Sequence, residues 1–343
     1  MLQTVESLSR WFLKIQRNLP WRMTSDPYKI WISEVMLQQT QVTTVIPYYE
    51  RFIRAFPDIK SLALAEEESV LQLWAGLGYY SRARNLHRGA QTLMKRFPFQ
   101  FPQTRRELLE IPGIGPYTAG AILSIAFDLK EPLVDGNVER VLSRYFAFKH
   151  PIDSSHAKNF FWQKAQEWVL MSRSPRVFNQ ALMELGSLIC TKSHPKCSLC
   201  PIQDSCEALK QNLTNDLPKK TKKPKPKEIH QIKFIFEKSG KFWIKKNTEG
   251  EWWSGLWDFP SIELPATTSS PQQIAKLIEQ YTPTSWKELP HQKHTVTHHR
   301  LFVVPIHIKV TRAPSIEGQW TPLHQIKELP VSALVKRIIN HNF

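Results

Sequence analysis

Two periodicities of apolar and polar positions divide the chain. Up to about residue 190, apolar side chains recur at every third or fourth position, which is the spacing of one face of an α-helix. This pattern predicts amphipathic helices near 4–17, 28–46, 60–74, 81–96, 104–110, 116–127, 137–147, 156–171 and 175–189. We therefore expect an all-α domain of about 210 residues.

The pattern changes in the last third of the chain. There, short apolar runs separated by turn residues alternate with two helix-like stretches. Ser239 and Gly240 are the turn of a predicted hairpin. The pattern predicts strands at 232–236, 241–245 and 301–310, and helices near 271–280 and 331–340. A smaller α/β domain is therefore expected to follow the helical domain.

The segment between the two patterns has its own composition. Leu217–Lys227 contains six Lys and three Pro and almost nothing apolar, so it cannot form a core, and its prolines favour extended backbone. We interpret 213–228 as a linker that is solvated and can also lie along phosphates. The predicted domains are then 1–212 and 229–343.

Composition and charge narrow the class of protein. The 343 residues are 41% hydrophobic, which suffices for sizeable cores and is too much for a disordered chain. No apolar run reaches about 18 residues, and Met1–Pro20 lacks the features of a secretory signal. The net charge of +16 is divided into +6 on 1–207, +5 on 208–228 and +5 on 229–343. We expect a cytoplasmic protein with a polyanionic partner and no membrane contact.

All four cysteines lie within one 17-residue segment. They are spaced Cys190-x6-Cys197-x2-Cys200-x5-Cys206. Zinc or two local disulfides are the alternatives, although the common zinc pattern of two separated C-x2-C pairs is absent. Closely spaced thiolates in an intracellular chain favour an iron–sulfur cluster bound by the loop 190–206.

A glycine-containing turn lies between two predicted helices. In Ile111–Ala119, Gly113 and Gly115 would allow a tight turn with positive φ and would expose backbone N–H groups. With the following helix N-terminus, such a turn can hold a phosphate without reading a base. An ordinary helix–helix turn is the alternative.

Two carboxylates stand in patterns that suit acid–base chemistry. On a continuous helix, Glu34, Gln38 and Gln41 would form a polar stripe beside an apolar one. This stripe is either a solvated helix face or the wall of a groove. In a groove wall, burial would raise the pKa of Glu34. Asp135 precedes a predicted helix, whose N-terminus favours its ionised form; a helix cap is its alternative role. Asn137 is a candidate supporting hydrogen-bonding residue.

These motifs resemble a known family. The cysteine spacing is similar to the [4Fe–4S] loop of the endonuclease III family of DNA glycosylases, and Ile111–Ala119 resembles its helix–hairpin–helix. Trp31–Val42, Gly76–His87 and Asp135–Val138 narrow the resemblance to the MutY branch, the adenine DNA glycosylases. The resemblance covers most of residues 20–206.

The resemblance implies a fold, a cofactor and a set of roles. It implies a multi-domain protein with an all-α helix–hairpin–helix glycosylase domain and one [4Fe–4S] cluster held by the four cysteines. Glu34 would be the general acid and Asp135 the stabiliser of an oxocarbenium ion, supported by Tyr117 and Asn137. Lyase-competent relatives have a Lys at the position of Tyr117, so the resemblance implies a monofunctional enzyme. Substrate and DNA contacts are expected from Trp21, Arg22, Gln38, Gln39, Leu77, Tyr79, Gly113, Gly115, Gln180 and Glu184.

The C-terminal domain resembles the MutT or Nudix fold. Gly255–Pro260 carries the resemblance, but no acidic Nudix box follows it, so pyrophosphate hydrolysis is excluded. In MutY proteins such a domain reads 8-oxoguanine opposite the adenine. The family usually has Phe-Ser-His where this chain has Val296, Thr297 and His298. Thr297 and His298 are therefore the candidate recognition residues, an exposed polar loop being the alternative.

The expected activity is removal of adenine mispaired with 8-oxoguanine or guanine in double-stranded DNA. We expect a monomer, associated with the nucleoid if the source is bacterial; the sequence does not identify any partner among other repair proteins. One rival hypothesis is an endonuclease III-like glycosylase and lyase, which Tyr117 disfavours. The other is a non-catalytic iron–sulfur DNA-binding protein, which the presence of both Glu34 and Asp135 disfavours.

Overall fold

The computed structural model describes residues 1–98, 100–221, 224–265 and 271–343. The chain forms two compact units, and the boundary between them is crossed more than once. The first unit comprises Met1–Ala65 and Ser81–Lys222, and the second comprises Glu66–Tyr80 and Lys223–Phe343. Lys222 and Lys223, which the predicted linker includes, lie outside the described residues.

Helices dominate the first unit, as the sequence predicts. In chain order the helices up to residue 210 are α1 (Leu2–Ile15), α2 (Pro27–Leu37), α3 (Val42–Ala55), α4 (Ile59–Ala63), α5 (Glu67–Trp74), α6 (Ser81–Arg96), α7 (Arg105–Leu109), α8 (Pro116–Ala121), α9 (Gly136–Tyr145), α10 (Ser155–Met171), α11 (Pro175–Leu188) and α12 (Glu207–Lys210). A π-helical turn continues α8 through Ala126. Of these helices, α5 belongs to the second unit.

The single helix predicted over 28–46 is wrong. Gln39 adopts a left-handed conformation with φ of 58°, and α2 and α3 are separate helices on either side of it. The guanidinium of Arg82 donates hydrogen bonds to the carbonyls of Val35, Met36 and Gln38 at 2.6–3.0 Å. These bonds satisfy the carbonyl groups at the C-terminal end of α2, so the helix can end there. Gln41 therefore lies at the N-cap of α3, and the predicted polar stripe does not continue past Gln38.

The core of the first unit gathers the apolar faces of α1, α9, α10 and α11. Phe161, Trp168 and Phe178 are fully buried in it. Tyr145 packs edge-on against Trp168, with ring centroids 4.8 Å apart, and forms a 3.0 Å hydrogen bond with Thr4. Since Tyr145 ends α9, this packing holds the helix that begins directly after Asp135.

The second unit is built on a mixed sheet. Its strands are β1 (Lys227–Lys238), β2 (Lys241–Lys246), β3 (Trp257–Asp258), β4 (Ser261–Leu264), β5 (Ser285–Glu288), β6 (Gln292–Val296), β7 (His299–Lys309) and β8 (Gln319–Pro322). The main order is β3-β2-β1-β7-β5, with β4 paired to β1, β6 to β7 and β8 to β2. The β1 and β7 strands run parallel, and the other pairs are antiparallel. The predicted hairpin turn has positive φ at Ser239 and Gly240.

Helices cover both faces of this sheet. They are α13 (Pro271–Glu279), α14 (Leu323–Glu328) and α15 (Ala333–Asn342). Ile274 and Ile278 of α13 pack with one set of sheet residues, and Leu334 and Ile338 of α15 pack with another. The residues of β1 from 231 to 236 are consequently all buried. They include Lys233, whose ammonium is paired with Asp258 at 2.7 Å, because a buried charge requires a partner. Among the described residues, no helix combines the length and apolarity needed to cross a membrane.

Two glycines at helix positions should respond oppositely to an added methyl group. A Cβ on Gly120 would lie 2.0 Å from the backbone oxygen of Pro132, whereas a Cβ on Gly136 would meet nothing within 4 Å. We expect Gly120→Ala to lower the free energy of unfolding by about 2–3 kcal/mol through overpacking. Gly136→Ala should leave it unchanged or raise it by up to about 1 kcal/mol. Urea unfolding of both variants checks this, and equal stabilities would contradict it.

Candidate active site

One large cavity lies within the first unit. Its volume is about 1090 Å³, and its walls come from α2, the 38–41 loop, the start of α3, the start of α8, the start of α9 and α11. Many of the predicted site residues line it: Trp21, Arg22, Glu34, Gln38, Gln39, Gly115, Tyr117, Asp135, Asn137, Gln180 and Glu184. Residues far apart in the chain are thus brought to one place.

Glu34 is a buried acid in this cavity. It lies on α2, is 5% exposed, and its Oε2 accepts a 2.5 Å hydrogen bond from the hydroxyl of Tyr117. Burial raises the pKa of Glu34 from its ordinary value of 4.5 to about 7; the Tyr117 hydrogen bond and the charge of Arg22 lower it, and the charge of Asp135 raises it. Glu34 can therefore hold a proton near neutral pH.

Tyr117 remains a hydrogen-bond donor at neutral pH. Burial, and then the charges of Glu34 and Asp135, raise the pKa of Tyr117 well above its usual value. The hydroxyl also lies 3.3 Å from the sulfur of Met183. Tyr117 belongs to the first turn of α8, so the hairpin and the helix after it place its hydroxyl against Glu34.

Asp135 has a different set of partners. It is the N-cap of α9 and accepts hydrogen bonds from the backbone N–H groups of Asn137 and Val138 and from the side-chain amide of Asn137, at 2.8–3.0 Å. Burial raises the pKa of Asp135, while these three donors and the charge of Arg140 lower it in part. The predicted cap is confirmed, but the cap does not lower the pKa below its usual value, because burial outweighs it.

A third carboxylate in the cavity wall is paired with two arginines. Glu184 is 2% exposed, and its oxygens accept hydrogen bonds of 2.6–2.7 Å from both Arg17 and Arg22. Burial by itself would raise the pKa of Glu184, but the hydrogen bonds and charges of the two arginines bring it below its usual value. Glu184 is thus a charged anchor for Arg22.

Trp21 and Gln180 also have partners within the unit. Trp21 is 6% exposed and contacts Tyr49 edge-on, with ring centroids 5.3 Å apart. The side-chain amide of Gln180 donates a 3.1 Å hydrogen bond to the carbonyl of Arg176. Both side chains form part of the cavity wall, and their proposed contacts to substrate stay predictions.

The hairpin glycines differ from each other. Gly113 has φ of 83°, and a Cβ there would lie 2.8 Å from Cβ of Asn85, so glycine is required by both conformation and space. Gly115 has φ of −92° and ψ of 179°, an extended conformation open to any residue. The expectation of positive φ at Gly115 is therefore wrong, although Gly115 does line the cavity at the N-cap of α8.

The remaining predicted residues lie in the second unit. Leu77 and Tyr79 follow α5; Leu77 is 6% exposed, and Tyr79 is 44% exposed with φ of 48°. Thr297 and His298 form the exposed turn between β6 and β7. Val296 instead packs partly against the apolar core of this unit.

Sequence reasoning missed three cations of the cavity wall: Arg17, Arg140 and Lys220. Arg140 donates hydrogen bonds to the side chain of Asn137 and to the carbonyls of Gly186 and Cys190, at 2.6–2.8 Å. The sequence could have indicated Arg140, because it lies one helical turn after Asn137 on α9 and therefore on the same face of the helix. Lys220 lies in the predicted linker, whose start is fixed to the first unit by a 3.0 Å hydrogen bond from Ile152 N–H to the carbonyl of Lys219.

The four cysteines line one small cavity together with Arg144. Arg144 is 2% exposed and lies 3.4 Å from the sulfur of Cys190, and it donates to the carbonyls of Thr191 and Lys192. Burial raises the pKa of Cys200 to about 12 and also raises the pKa of Cys197 and of Cys206.

This donor set fits a bound cationic group better than free thiolates. Four thiols face one space, and their negative forms are disfavoured by burial unless a cationic centre stabilises them. Within the part of the chain that the structure describes, no group of three or more His, Cys, Asp or Glu is arranged to hold a single metal ion. Four thiolates around one cavity are the ligand set of an iron–sulfur cluster.

The raised pKa of Glu34 should make stability depend on pH. Because the folded-state pKa of about 7 exceeds the unfolded value of 4.5, the stabilisation is fully present below pH 4.5 and is lost as the pH rises through 7. Glu34→Gln cannot ionise, so its stability relative to the native chain should rise by about 2 kcal/mol between pH 5 and pH 8. Chemical unfolding at the two pH values measures this. Glu50→Gln, an exposed change in the same unit, is the matched control, and identical pH profiles for all three proteins would refute the expectation.

Comparison with known proteins matches both units. The family model of the HhH-GPD superfamily base excision DNA repair proteins matches residues 32–167, and that of the NUDIX domain matches residues 232–341. An adenine DNA glycosylase of Buchnera aphidicola (subsp. Schizaphis graminum) is 34% identical over 329 residues, which are 94% of each chain. One from Arabidopsis thaliana is 40% identical over 74% of this chain and 46% of its own length.

The fold comparison agrees with the family models. The solved structure of a thermostable thymine-DNA glycosylase covers 60% of this chain and 95% of its own, with a TM-score of 0.55 and 27% identity. Its size corresponds to the helical part of the chain. Since identity to an adenine DNA glycosylase extends over nearly the whole length, the chain belongs to the adenine DNA glycosylase family and is a DNA glycosylase of base excision repair.

Proposed function

We propose that this protein is a monomeric, monofunctional glycosylase that hydrolyses the N-glycosidic bond of adenine opposite 8-oxoguanine, and opposite guanine, in duplex DNA. The observation that carries the proposal is the buried pair of Glu34 and Asp135 in one cavity. Glu34 has a pKa of about 7, which is near the value at which a general acid works best at neutral pH.

Cleavage of this bond makes two electronic demands. Adenine must leave with a proton, and the sugar carbon C1′ must carry positive charge in the transition state. Paired carboxylates in unlike environments meet such demands in glycoside hydrolysis, where one donates a proton and the other stabilises the cation. Since the base must first leave the stack, an open cavity of about 1090 Å³ is large enough to receive it.

Glu34 would supply the proton. Its Oε2 is held by the hydroxyl of Tyr117, so the carboxyl has a fixed orientation. We infer that the protonated carboxyl donates to N7 of the extruded adenine. After the base has left, the resulting Glu34 carboxylate can accept a proton from the attacking water.

Asp135 would remain charged and face the sugar. Three N–H donors favour its ionised form over the protonated one, whereas Glu34 accepts a bond from a hydroxyl. When one proton is shared between two neighbouring carboxyls, this difference assigns it to Glu34. Asp135 can then stabilise the oxocarbenium charge, directly or through a covalent intermediate.

The lack of lyase activity rests on Tyr117. A Schiff base with the sugar requires an amine, and the phenol at this position cannot form one. Lys220 is an amine in the wall of the same cavity, so the assay below measures strand cleavage directly.

We propose that the second unit reads 8-oxoguanine through Thr297 and His298. The exposed turn between β6 and β7 presents both side chains. Val296 has no aromatic ring to stack on a base, and its side chain packs partly against the core of the unit. The readout would then rest on hydroxyl and imidazole hydrogen bonds.

We propose that Cys190, Cys197, Cys200 and Cys206 hold one [4Fe–4S] cluster. Bound there, it would stabilise four otherwise unfavourable buried thiolates and thereby fix the loop 190–206. Lys192, His194 and Lys196 of this loop could then meet a phosphate backbone as ordered cations.

A duplex with a single adenine opposite 8-oxoguanine tests the activity. Strand breaks that form only after alkali are expected. Prompt breaks would indicate a lyase, and their absence under both treatments would indicate a binding protein. Glu34→Gln should lower single-turnover base release by at least about 100-fold with duplex binding retained, and native base release should fall as the pH rises through 7. Unchanged base release in Glu34→Gln would overturn the role of this residue.

The cluster has a test that is independent of activity. The purified protein should show the visible absorbance of an iron–sulfur cluster, which zinc cannot give. Cys200→Ser should weaken or abolish this band and destabilise the first unit. Ser193→Ala, in the same loop, is the matched control and should retain it. A colourless protein containing zinc would refute the proposal.

A further inference from the structure

The segment Glu66–Tyr80, here called the α5 segment, belongs to the second unit although the chain on both sides of it belongs to the first. The glycosylase family model runs through this segment without a break. Its loop carries Leu77 and Tyr79, which the resemblance assigns to the duplex. Contacts at three points tie this segment to the rest of the second unit.

Glu68 forms the first tie. Its Oε1 accepts a 2.8 Å hydrogen bond from the indole N–H of Trp257, and its Oε2 lies 3.0 Å from the ammonium of Lys246. Lys246 and Trp257 are direct partners in the β2–β3 pairing. The carboxylate of Glu68 thus binds one residue on each of two adjacent strands. Burial opposes the charge, but these two donors bring the pKa of Glu68 below its usual value.

A second contact lies one helical turn further along α5. The side-chain amide of Gln72 donates a 2.8 Å hydrogen bond to the carbonyl of Glu328, at the end of α14. Residues four apart share one face of a helix. Glu68 and Gln72 therefore define the face of α5 that rests on the second unit.

Tyr80 forms the tie at the other end of the segment. Its hydroxyl donates a 3.3 Å hydrogen bond to the carbonyl of Val331 and accepts one of 3.4 Å from the N–H of Gly76. Val331 pairs with Trp257 in a parallel bridge. Glu68 and Tyr80 are thus fixed to neighbouring points of the same small patch.

Tyr79 is held out between these ties. The loop turns through positive φ at Gly76, Gly78 and Tyr79, and the indole N–H of Trp74 donates a 3.1 Å hydrogen bond to the carbonyl of Gly78. The ring of Tyr79 is 44% exposed. A large exposed aromatic on a braced loop is suited to stacking with bases.

We propose that Glu68 is a positioning residue. By binding Lys246 and Trp257, it holds the loop bearing Leu77 and Tyr79 on the second unit, which carries the proposed readout of 8-oxoguanine. Insertion of the loop into the duplex and readout of the opposite base by Thr297 and His298 are then performed by one unit. This inference rests on the proposed function for its substrate, and it adds that the insertion step depends on contacts to β2 and β3.

The test compares two glutamates of the same helical turn. Glu68→Ala removes the carboxylate that binds the two strands, whereas Glu67→Ala removes an equal charge from an exposed neighbour. The probe is a duplex with adenine opposite 8-oxoguanine and a 2-aminopurine next to the adenine, whose fluorescence rises when its stacking is broken. We expect Glu68→Ala to lose at least half of the fluorescence rise and to slow single-turnover base release by about tenfold. Glu67→Ala should stay within about twofold of the native protein.

Two further variants separate positioning from general damage. Trp257→Phe keeps an aromatic ring, although a smaller one, and removes the N–H donor, so it should reproduce the defect without any substitution in α5. Glu68→Gln keeps an acceptor for Trp257 and should restore part of the activity. In a Tyr79→Ala background, Glu68→Ala should cause no further loss, because it acts through the loop.

Equal behaviour of Glu68→Ala and Glu67→Ala would overturn the proposal, and so would a full additional loss in the Tyr79→Ala background. If Glu68→Ala does not fold, the Trp257→Phe variant decides by the same criteria. Absence of base release by the native protein would refute the proposed activity instead. The fluorescence comparison needs no chemistry, so it still decides the role of Glu68 in that case.

Discussion

The chemistry available to the first unit depends on two buried carboxyl groups, those of Glu34 and Asp135, that line one cavity. Burial disfavours the charge of each, and the charge of Asp135 further disfavours that of Glu34. The two sites are made unequal by their donors: Asp135 receives three N–H groups from the start of α9, and Glu34 receives the hydroxyl of Tyr117. In the proposed mechanism, this inequality assigns the proton to Glu34 and the negative charge to Asp135.

Glu184 lines the same cavity and binds Arg22, the arginine whose charge acts on Glu34. A nearby guanidinium lowers the pKa of a carboxyl, and the charge of Arg22 does so at Glu34. Arg17 and Arg22 both bind Glu184, so this carboxylate offsets part of their charge. It thereby weakens the positive field that would otherwise favour ionised Glu34, which is consistent with acid catalysis.

The sequence predicted what depends on local spacing and on long motifs. The helical first unit, the hairpin at Ser239-Gly240, and the meeting of Glu34, Tyr117 and Asp135 in one cavity all follow from such signals. The break after Leu37 did not, because its cause is Arg82, far along the chain. The short strand β5 was missed because its four residues are all exposed and leave no apolar pattern. The attachment of α5 was missed because it rests on polar contacts to strands almost 180 residues later.

Connectivity gives the two units more than a single tether. Much of the Lys/Pro segment is attached to the first unit and is not a free linker. Leu217 is 2% exposed, and its carbonyl accepts a hydrogen bond from Arg144. The backbone N–H of Thr221 donates a hydrogen bond to the carboxylate of Asp153. Since β1 begins at Lys227, only five residues separate these anchors. The chain also passes between the units on both sides of the α5 segment. The backbone therefore crosses between the two units three times, after Ala65, after Tyr80 and after Lys222, so the α5 segment is joined to the first unit by covalent connections at both of its ends.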